Sequence, residues 1–412
     1  VSDEHVKIIL SILVLIVVST LLLATLGVLA PDPVSRQLTL AARGIQPAGS
    51  LGAGREENAV PGGEDRRPGA TGEEPGQPAD EWTDLPIAKQ SPLADSSGLL
   101  DRWPDESAIP AVRTVDLDAY LGRAKDDRPL QGIQIFLDPG HGGSDSGATY
   151  PANAYKPIVS EAKINLTVAE KTRDALEQLG ATVHLIREDD RWLSIFYRIA
   201  FASRELIEQF TAQLSSKAYT SDAIDALTES MDAIMIANSD FESAGGRGIM
   251  SGVGASRELK LLLDLEHQFP DVLYLSIHCN SLEDNDPTGG LQVFYLGREQ
   301  AYAAENKMAE SQGLKNSPPV YQMYRDEARR RLASLVKARM LSAVPQLTYH
   351  GEADLIEENF AVLREINVTN VLIELGFISS PVDRPILRSS DYQQKLAEAI
   401  ADAVFAFYCT AG

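Results

Sequence analysis

The spacing of hydrophobic and polar positions changes along the chain, and the changes divide it into parts. From residue 8 to residue 30 there are 23 positions without a charge, dense in Leu, Val and Ile. At about 1.5 Å rise per residue, a helix of that length crosses a hydrocarbon core of roughly 30 Å. Residues 1–30 are therefore read as a transmembrane anchor. A cleaved signal peptide is the competing reading, because Val28 and Ala30 fit a small-residue cleavage pattern. The run exceeds the usual apolar stretch of about 7–15 residues, however, and Pro31 would follow the cut, which favours the anchor. The span 41–80 then holds nine Gly and five Pro, with too little apolar surface to offset chain entropy. Residues 31–128 are expected to form a disordered Pro/Gly-rich linker, a coil spanning roughly 55 Å.

From Gly132 onward, strand and helix periods alternate. Short β-rich runs occupy 133–138, 182–187, 272–278, 290–296 and 370–375, and helical spacing fills 161–179, 255–268, 299–312, 326–341 and 392–407. Ile164, Val168, Ala175 and Leu179 give one helix an apolar face for a sheet, with Gly180 as its stop signal. The pattern predicts an α/β fold: a mixed twisted sheet flanked by helices, in a single domain over 129–412. A helical insertion is expected at about 204–270. Within it, Ile224, Leu227, Met231 and Ile234 fall at helical spacing across 222–238, after Thr220 and Ser221 as candidate caps.

Composition narrows the function classes. With 44% hydrophobic and 23% charged residues the chain can bury a core. Its 37 Lys and Arg against 59 Asp and Glu give a net charge of -22, which argues against nucleic acid as a partner, since phosphate affinity rests on cations. Two cysteines without CxxC spacing exclude a disulfide framework or a zinc knuckle.

The candidate chemistry lies where strands end, the usual place for ligands in open α/β sheets. A strand reading IFLDPGHGG delivers His141 into a glycine-rich loop; taken alone, a tight turn with an incidental histidine, or a phosphate cradle, would also account for it. Glu161 opens a helix, where a carboxylate is often only favoured by the helix dipole. His278 closes an apolar strand on the same rim, where a structural histidine is an equal reading. Glu374 sits inside VLIELGF, where a charge is costly unless paired, metal-bound or protonated. Two imidazoles and one carboxylate suit tetrahedral Zn²⁺ with an open position, and a second carboxylate can move protons. His5, His184, His267 and His350 are read as ordinary, residues 329–331 as a solvated run of arginines, and Asn280 and Arg364 as weak substrate contacts.

The blocks LDPGHGG (137–143), EAKINL (161–166), SIHCNS (276–281) and IELGFIS (373–379) resemble, in order, the motifs of the zinc N-acetylmuramoyl-L-alanine amidases of the cell-wall hydrolase type 3 family. The resemblance runs from about residue 132 to the C-terminus. It implies that His141, Glu161 and His278 ligate Zn²⁺ and that Glu374 is the catalytic carboxylate. It implies cleavage of the amide between N-acetylmuramic acid and L-alanine of peptidoglycan, in the cell envelope, with the catalytic domain outside the cytoplasmic membrane. Cys279 stands where Ala is common and Ser380 where Asn is frequent; Cys279 is read as a core thiol. Some similar cell-division amidases carry an inserted helix whose acid plugs the zinc until an activator protein withdraws it. Glu229, Asp232 and Glu242 are the acids available for this, against the plainer reading of an insertion that only extends the core. Two further readings are a catalytically inactive wall-binding or regulatory module and a zinc peptidase or deacetylase; the filled metal and acid positions favour an enzyme over the inactive module, while the same water attack would serve any accessible amide, so that product identification decides between amidase and peptidase or deacetylase.

Overall fold

The computed structural model describes residues 111–152, 154–216, 222–239, 257–301, 324–349 and 355–411, with Ile109 and Ala303 besides. The expected anchor, most of the expected linker, Glu242 and most of the expected helix at 299–312 lie outside them. Among the described residues, no helix is long and apolar enough to cross a membrane.

The apolar runs become strands β1 (Gln134–Pro139), β4 (Thr182–Leu185), β5 (Val272–Asn280), β6 (Gln292–Tyr295) and β8 (Thr369–Phe377), joined by a short β7 (Leu355–Glu357). They form one sheet in the order β4-β1-β5-β8-β6-β7. β4, β1, β5 and β8 run parallel, while β6 is antiparallel to β8 and β7 follows β6. β5 and β8 are buried along their whole lengths, so they read as continuous apolar runs without alternation. β2 (Thr149–Tyr150) and β3 (Val159–Ser160) make a separate antiparallel hairpin.

Helices cover both faces. Ile135, Leu137, Leu273, Leu275, Ile277, Val371 and Ile373 belong to a core shared with α1 (Glu161–Gln178), α5 (Asp326–Ala343), α7 (Asp383–Arg388) and α8 (Ser390–Cys409). Gly180, at φ 94°, ends the α1 turn as the sequence signals. The alternate strand positions face α2 (Ile195–Ser216) and α6 (Ala361–Arg364), and α4 (Arg257–His267) packs on α2: Phe201 of α2 packs edge-on to Phe136, and Phe360 edge-on to Phe294. This is the expected mixed sheet between helical layers.

Two expectations need correction. The linker does not extend to residue 128: Val112 and Tyr120 are buried, Arg113 pairs with Asp271 at 2.7 Å, and Gly122 N donates to Cys409 O at 2.9 Å. A few aromatic and ionic contacts hold this strap without any periodic pattern. At the expected start of the insertion, α2 runs unbroken through residue 204 and buries Leu206, Ile207 and Phe210. α3 (Asp222–Ala237) packs on α2 and buries the four apolar residues marked in the sequence. Nor is the arginine run simply solvated: Arg329 is fully buried and donates to the carbonyls of Leu296 and Ile366 at 3.2 and 2.8 Å.

Candidate metal centre

β1 ends at Pro139, and two residues later His141 takes a left-handed backbone at φ 62°. A non-glycine residue holds that conformation only when its surroundings over-determine it. Two buried arginines do so. Arg198 of α2 donates to Asp138 Oδ1 at 2.6 Å, Pro139 O at 2.8 Å and His141 O at 2.7 Å. Arg187 donates to Pro139 O at 3.1 Å, Gly140 O at 3.1 Å and Ala162 O at 3.0 Å. Buried charge is tolerable here because carbonyls and the Asp138 carboxylate satisfy the forks. Burial works against ionised Asp138, and Arg198 overrides it, holding the carboxyl below its usual range. Ser276 Oγ donates to the other Asp138 oxygen at 2.9 Å, tying β5 into the same network.

β1 and β5 are sheet neighbours, so the loop after β1 meets His278 near the end of β5. His141, Glu161 and His278 are all buried, and one donor atom from each lies within 4.8 Å of the others. Glu161 starts α1 and is aimed by the backbone: Ala148 N donates to its Oε2 at 2.8 Å and Cys279 N to its Oε1 at 3.0 Å. His278 Nδ1 stands 3.0 Å from Glu161 Oε1. His141 Nδ1 is 2.6 Å from Asp145 Oδ2; its Nε2 is 3.2 Å from Glu161 Oε1 but makes no hydrogen bond among the described residues. Asp145 thus orients the ring with its other nitrogen turned into the cluster, as carboxylates do behind metal-binding histidines.

Two glycines leave the room this requires. A Cβ on Gly140 would strike the His278 ring, and one on Gly147 would stand 2.6 Å from Glu161 Oε2 and 2.7 Å from His141 Cδ2. The electrostatics favour a cation. Burial alone would depress the His141 imidazole, yet Glu161 and Asp145 raise it to about 10. Burial would likewise raise Glu161, and the two histidines hold it well below the usual carboxylate range. A nitrogen–nitrogen–oxygen donor set in a preformed, buried, cation-attracting pocket fits a divalent metal.

Glu374 is register partner to His278 across β5 and β8. It is fully buried and neither carboxylate oxygen has a hydrogen-bond partner among the described residues. Burial, and then the charge of Glu161, push its pKa well above the usual value. The structure therefore brings together all four residues named from the sequence. Cys279 does not join them: burial raises its thiol well above the usual range, and Sγ lies 3.5 Å from Asn165 Oδ1. Asn280 donates to Gln292 Oε1 at 2.9 Å, and Arg364 to Asn359 Oδ1 at 3.0 Å. In the described part of the insertion, Asp232 pairs with Arg204 at 3.2 Å and Glu229 is exposed; neither belongs to the donor group. Sequence reasoning missed Asp145, Arg198 and the space-making role of Gly140 and Gly147. The spacing His141–Asp145 was the one available signal.

The sequence pattern of the N-acetylmuramoyl-L-alanine amidase family matches residues 135–214 and 217–406, well over half of the chain. The chain belongs to this amidase family. Of the curated amidases, "N-acetylmuramoyl-L-alanine amidase AmiC" of Neisseria meningitidis is 25% identical over 272 residues, 66% of this chain and 51% of that protein. "Probable cell wall amidase LytH" of Staphylococcus aureus is 24% identical over 294 residues, 71% of this chain and 64% of that protein. The chain thus spans between half and two thirds of the length of these relatives. An amidase structure from Clostridium difficile aligns with 67% of this chain and 96% of its own at 22% identity, with a TM-score of 0.39; so slight a likeness adds nothing to the family assignment.

Proposed function

We propose that this protein is a zinc-dependent peptidoglycan amidase that hydrolyses the bond between N-acetylmuramic acid and L-alanine, in cell-wall remodelling or cell separation. The observation that carries the reading is the buried His141–Glu161–His278 donor set beside Glu374, whose two oxygens have no hydrogen-bond partner among the described residues. His141, Glu161 and His278 would hold Zn²⁺, which as a Lewis acid polarises the scissile carbonyl and acidifies a water. Glu374 accepts the proton of the attacking water and passes it to the leaving L-alanine amine. Its apolar burial raises its proton affinity, which suits that task. Water oxygen bonds to the carbonyl carbon and the carbon–nitrogen bond breaks, leaving a lactyl carboxylate on the sugar. Asp145 keeps the His141 ring in place, and Arg187 and Arg198 fix the loop that carries it.

The uncharged stretch at residues 8–30 and the Gly/Pro-rich span behind it support tethering to the cytoplasmic membrane, and a peptidoglycan substrate requires the domain to lie outside it. The experiment is digestion of purified sacculi by the zinc-loaded full chain, with soluble products identified by mass spectrometry. Free stem peptides beginning with L-alanine, and glycan with free lactyl carboxylates, are expected. Cuts within the stem peptide or release of acetate would replace the reading with a zinc peptidase or deacetylase; binding without any cut would make the protein a wall-binding module.

A further inference from the structure

β8 changes its pairing immediately past Glu374. Glu374 is register partner to His278 on β5 and to Gln292 on β6. On the β5 side the next rung joins Asn280 to Phe377, so Leu375 and Gly376 together stand opposite Cys279 alone. An extra residue of this kind is a β-bulge; it bends the strand, adds twist, and beside active sites re-aims a side chain. Gly376 takes up the bend at φ 148°, a backbone that glycine adopts at no steric cost. On the β6 side the ladder ends at Glu374, and a carboxylate takes over from it. Asp383, buried at the start of α7, accepts on Oδ2 from Phe377 N at 2.9 Å and from Gly290 N at 2.6 Å. Gly290 lies two residues before Gln292, so one oxygen bridges β8 and the entry to β6 where the next rung would fall. Glycines leave room for it: a Cβ on Gly289 would stand 2.8 Å from Asp383 Oδ1, and one on Gly376 3.2 Å from Oδ2. The helix dipole alone could favour an acid in a first turn, but this one is spent on amides outside its own helix.

We propose that Asp383 is a positioning residue for Glu374: by holding Phe377 N and Gly290 N it locks the bulge just beyond Glu374 and so fixes where that carboxylate stands beside His278. The inference rests on the amidase reading above, in which Glu374 carries the proton. Moved one residue toward the N-terminus of β8, the bulge would take in Glu374 itself. The carboxylate would then lose its rung with His278 and turn toward the other face of the sheet. Asp383 opposes the slide, because only the present register brings Phe377 N to its oxygen. Any other leaves a buried amide without its charge-assisted hydrogen bond.

The test compares wild type, Asp383→Ala, Asp383→Asn, Glu374→Gln and the Asp383→Ala/Glu374→Gln pair as zinc-loaded full chains, on soluble glycan–peptide fragments of the wall. Asp383→Ala should lower kcat about 10- to 100-fold, with KM within about twofold and zinc content unchanged. Asp383→Asn, which keeps an oxygen acceptor, should recover most of the loss. Hydrogen exchange should show lost protection at Phe377 and Gly290 in Asp383→Ala and retained protection in Asp383→Asn. In the Glu374→Gln background, Asp383→Ala should cost no more than about twofold further, because no carboxylate is left to misplace. If Asp383→Ala is unfolded at the assay temperature, Gly376→Ala, which strains the same bulge, replaces it with the same kinetic expectations. A wild-type kcat in Asp383→Ala, unchanged amide protection, zinc lost in step with activity, or an equal loss with and without the Glu374 carboxylate would overturn the assignment. The two levels separate cleanly. If Glu374→Gln is inactive and the Asp383→Ala loss adds to it in full, this inference alone fails; if wild type cuts no muramoyl–alanine bond, or Glu374→Gln cuts it at the wild-type rate, the amidase reading fails.

Discussion

Gly140→Ala should abolish tight metal binding without touching a ligand. A Cβ at this position would stand 2.7 Å from His278 Nδ1 and closer still to the other atoms on that side of the ring. Ordinary contact begins near 3.5 Å, so the imidazole must shift by at least about 0.8 Å. Zinc–ligand distances tolerate about 0.2 Å. The displacement is several times what the coordination can absorb, and the ring has nowhere to go, because His278 is buried and backed by Glu161 at 3.0 Å. Zinc affinity should fall by about 100-fold or more, the upper end of what loss of an orienting partner costs. The metal-free variant should also lose roughly 1–3 kcal/mol of stability to overpacking. Zinc affinity is read by competition with a chromophoric chelator, and stability by urea unfolding of chelator-treated protein. A double-mutant cycle isolates the cause: in a His278→Ala background, Gly140→Ala should cost almost nothing further in stability. If Gly140→Ala alone holds zinc within a few-fold of wild type, or if its stability cost persists unchanged without the imidazole, the collision is not what makes glycine necessary.

Glu374→Gln should keep stoichiometric zinc and lose at least about 100-fold in peptide release from sacculi; metal content near wild type with activity within a few-fold would remove Glu374 from proton transfer. Asp145→Ala should weaken zinc binding about 10- to 100-fold by freeing the His141 ring, and Asp145→Asn, which keeps an acceptor, should recover part of it; equal affinities in all three proteins would refute the orienting role. Glu266, in α4, accepts from Ser203 Oγ at 2.6 Å and Asn367 N at 2.7 Å, and burial raises its carboxyl from 4.5 to about 8. The folded state therefore holds this proton more tightly than the unfolded state. The stabilisation is complete below about pH 4.5 and is lost as pH rises to about 8, roughly 5 kcal/mol in all. Urea unfolding at several pH values should show a falling difference between wild type and Glu266→Gln across that window, and parallel pH profiles would contradict the shift.

Much of this molecule could be read from local pattern, because a strand buried on both faces and a helix with one apolar stripe each leave a period in the sequence. β1, β5, β8, α1 and α8 fall where their periods place them, and α3 buries the four residues that its spacing marks. His141, Glu161, His278 and Glu374 stood out because short motif blocks surround them at strand and helix ends. What local pattern could not supply is proximity. His141 and His278 meet because β1 pairs with β5, and His278 faces Glu374 because β5 pairs with β8. Asp145, Arg187 and Arg198 act through hydrogen bonds to particular carbonyls and a ring nitrogen, and such bonds have no period. The same holds for the strap at 111–128, fixed by Arg113, Tyr120 and Gly122, and for Arg329, whose charge is buried against two carbonyls in an apparent surface run. Gly140 lies in the run read as a glycine-rich loop, but the need for glycine there, and at Gly147, lies in the side chains of His278, Glu161 and His141 packed against them. Periodicity reports which face of an element is buried; which distant atom it meets there is settled only when the elements pack.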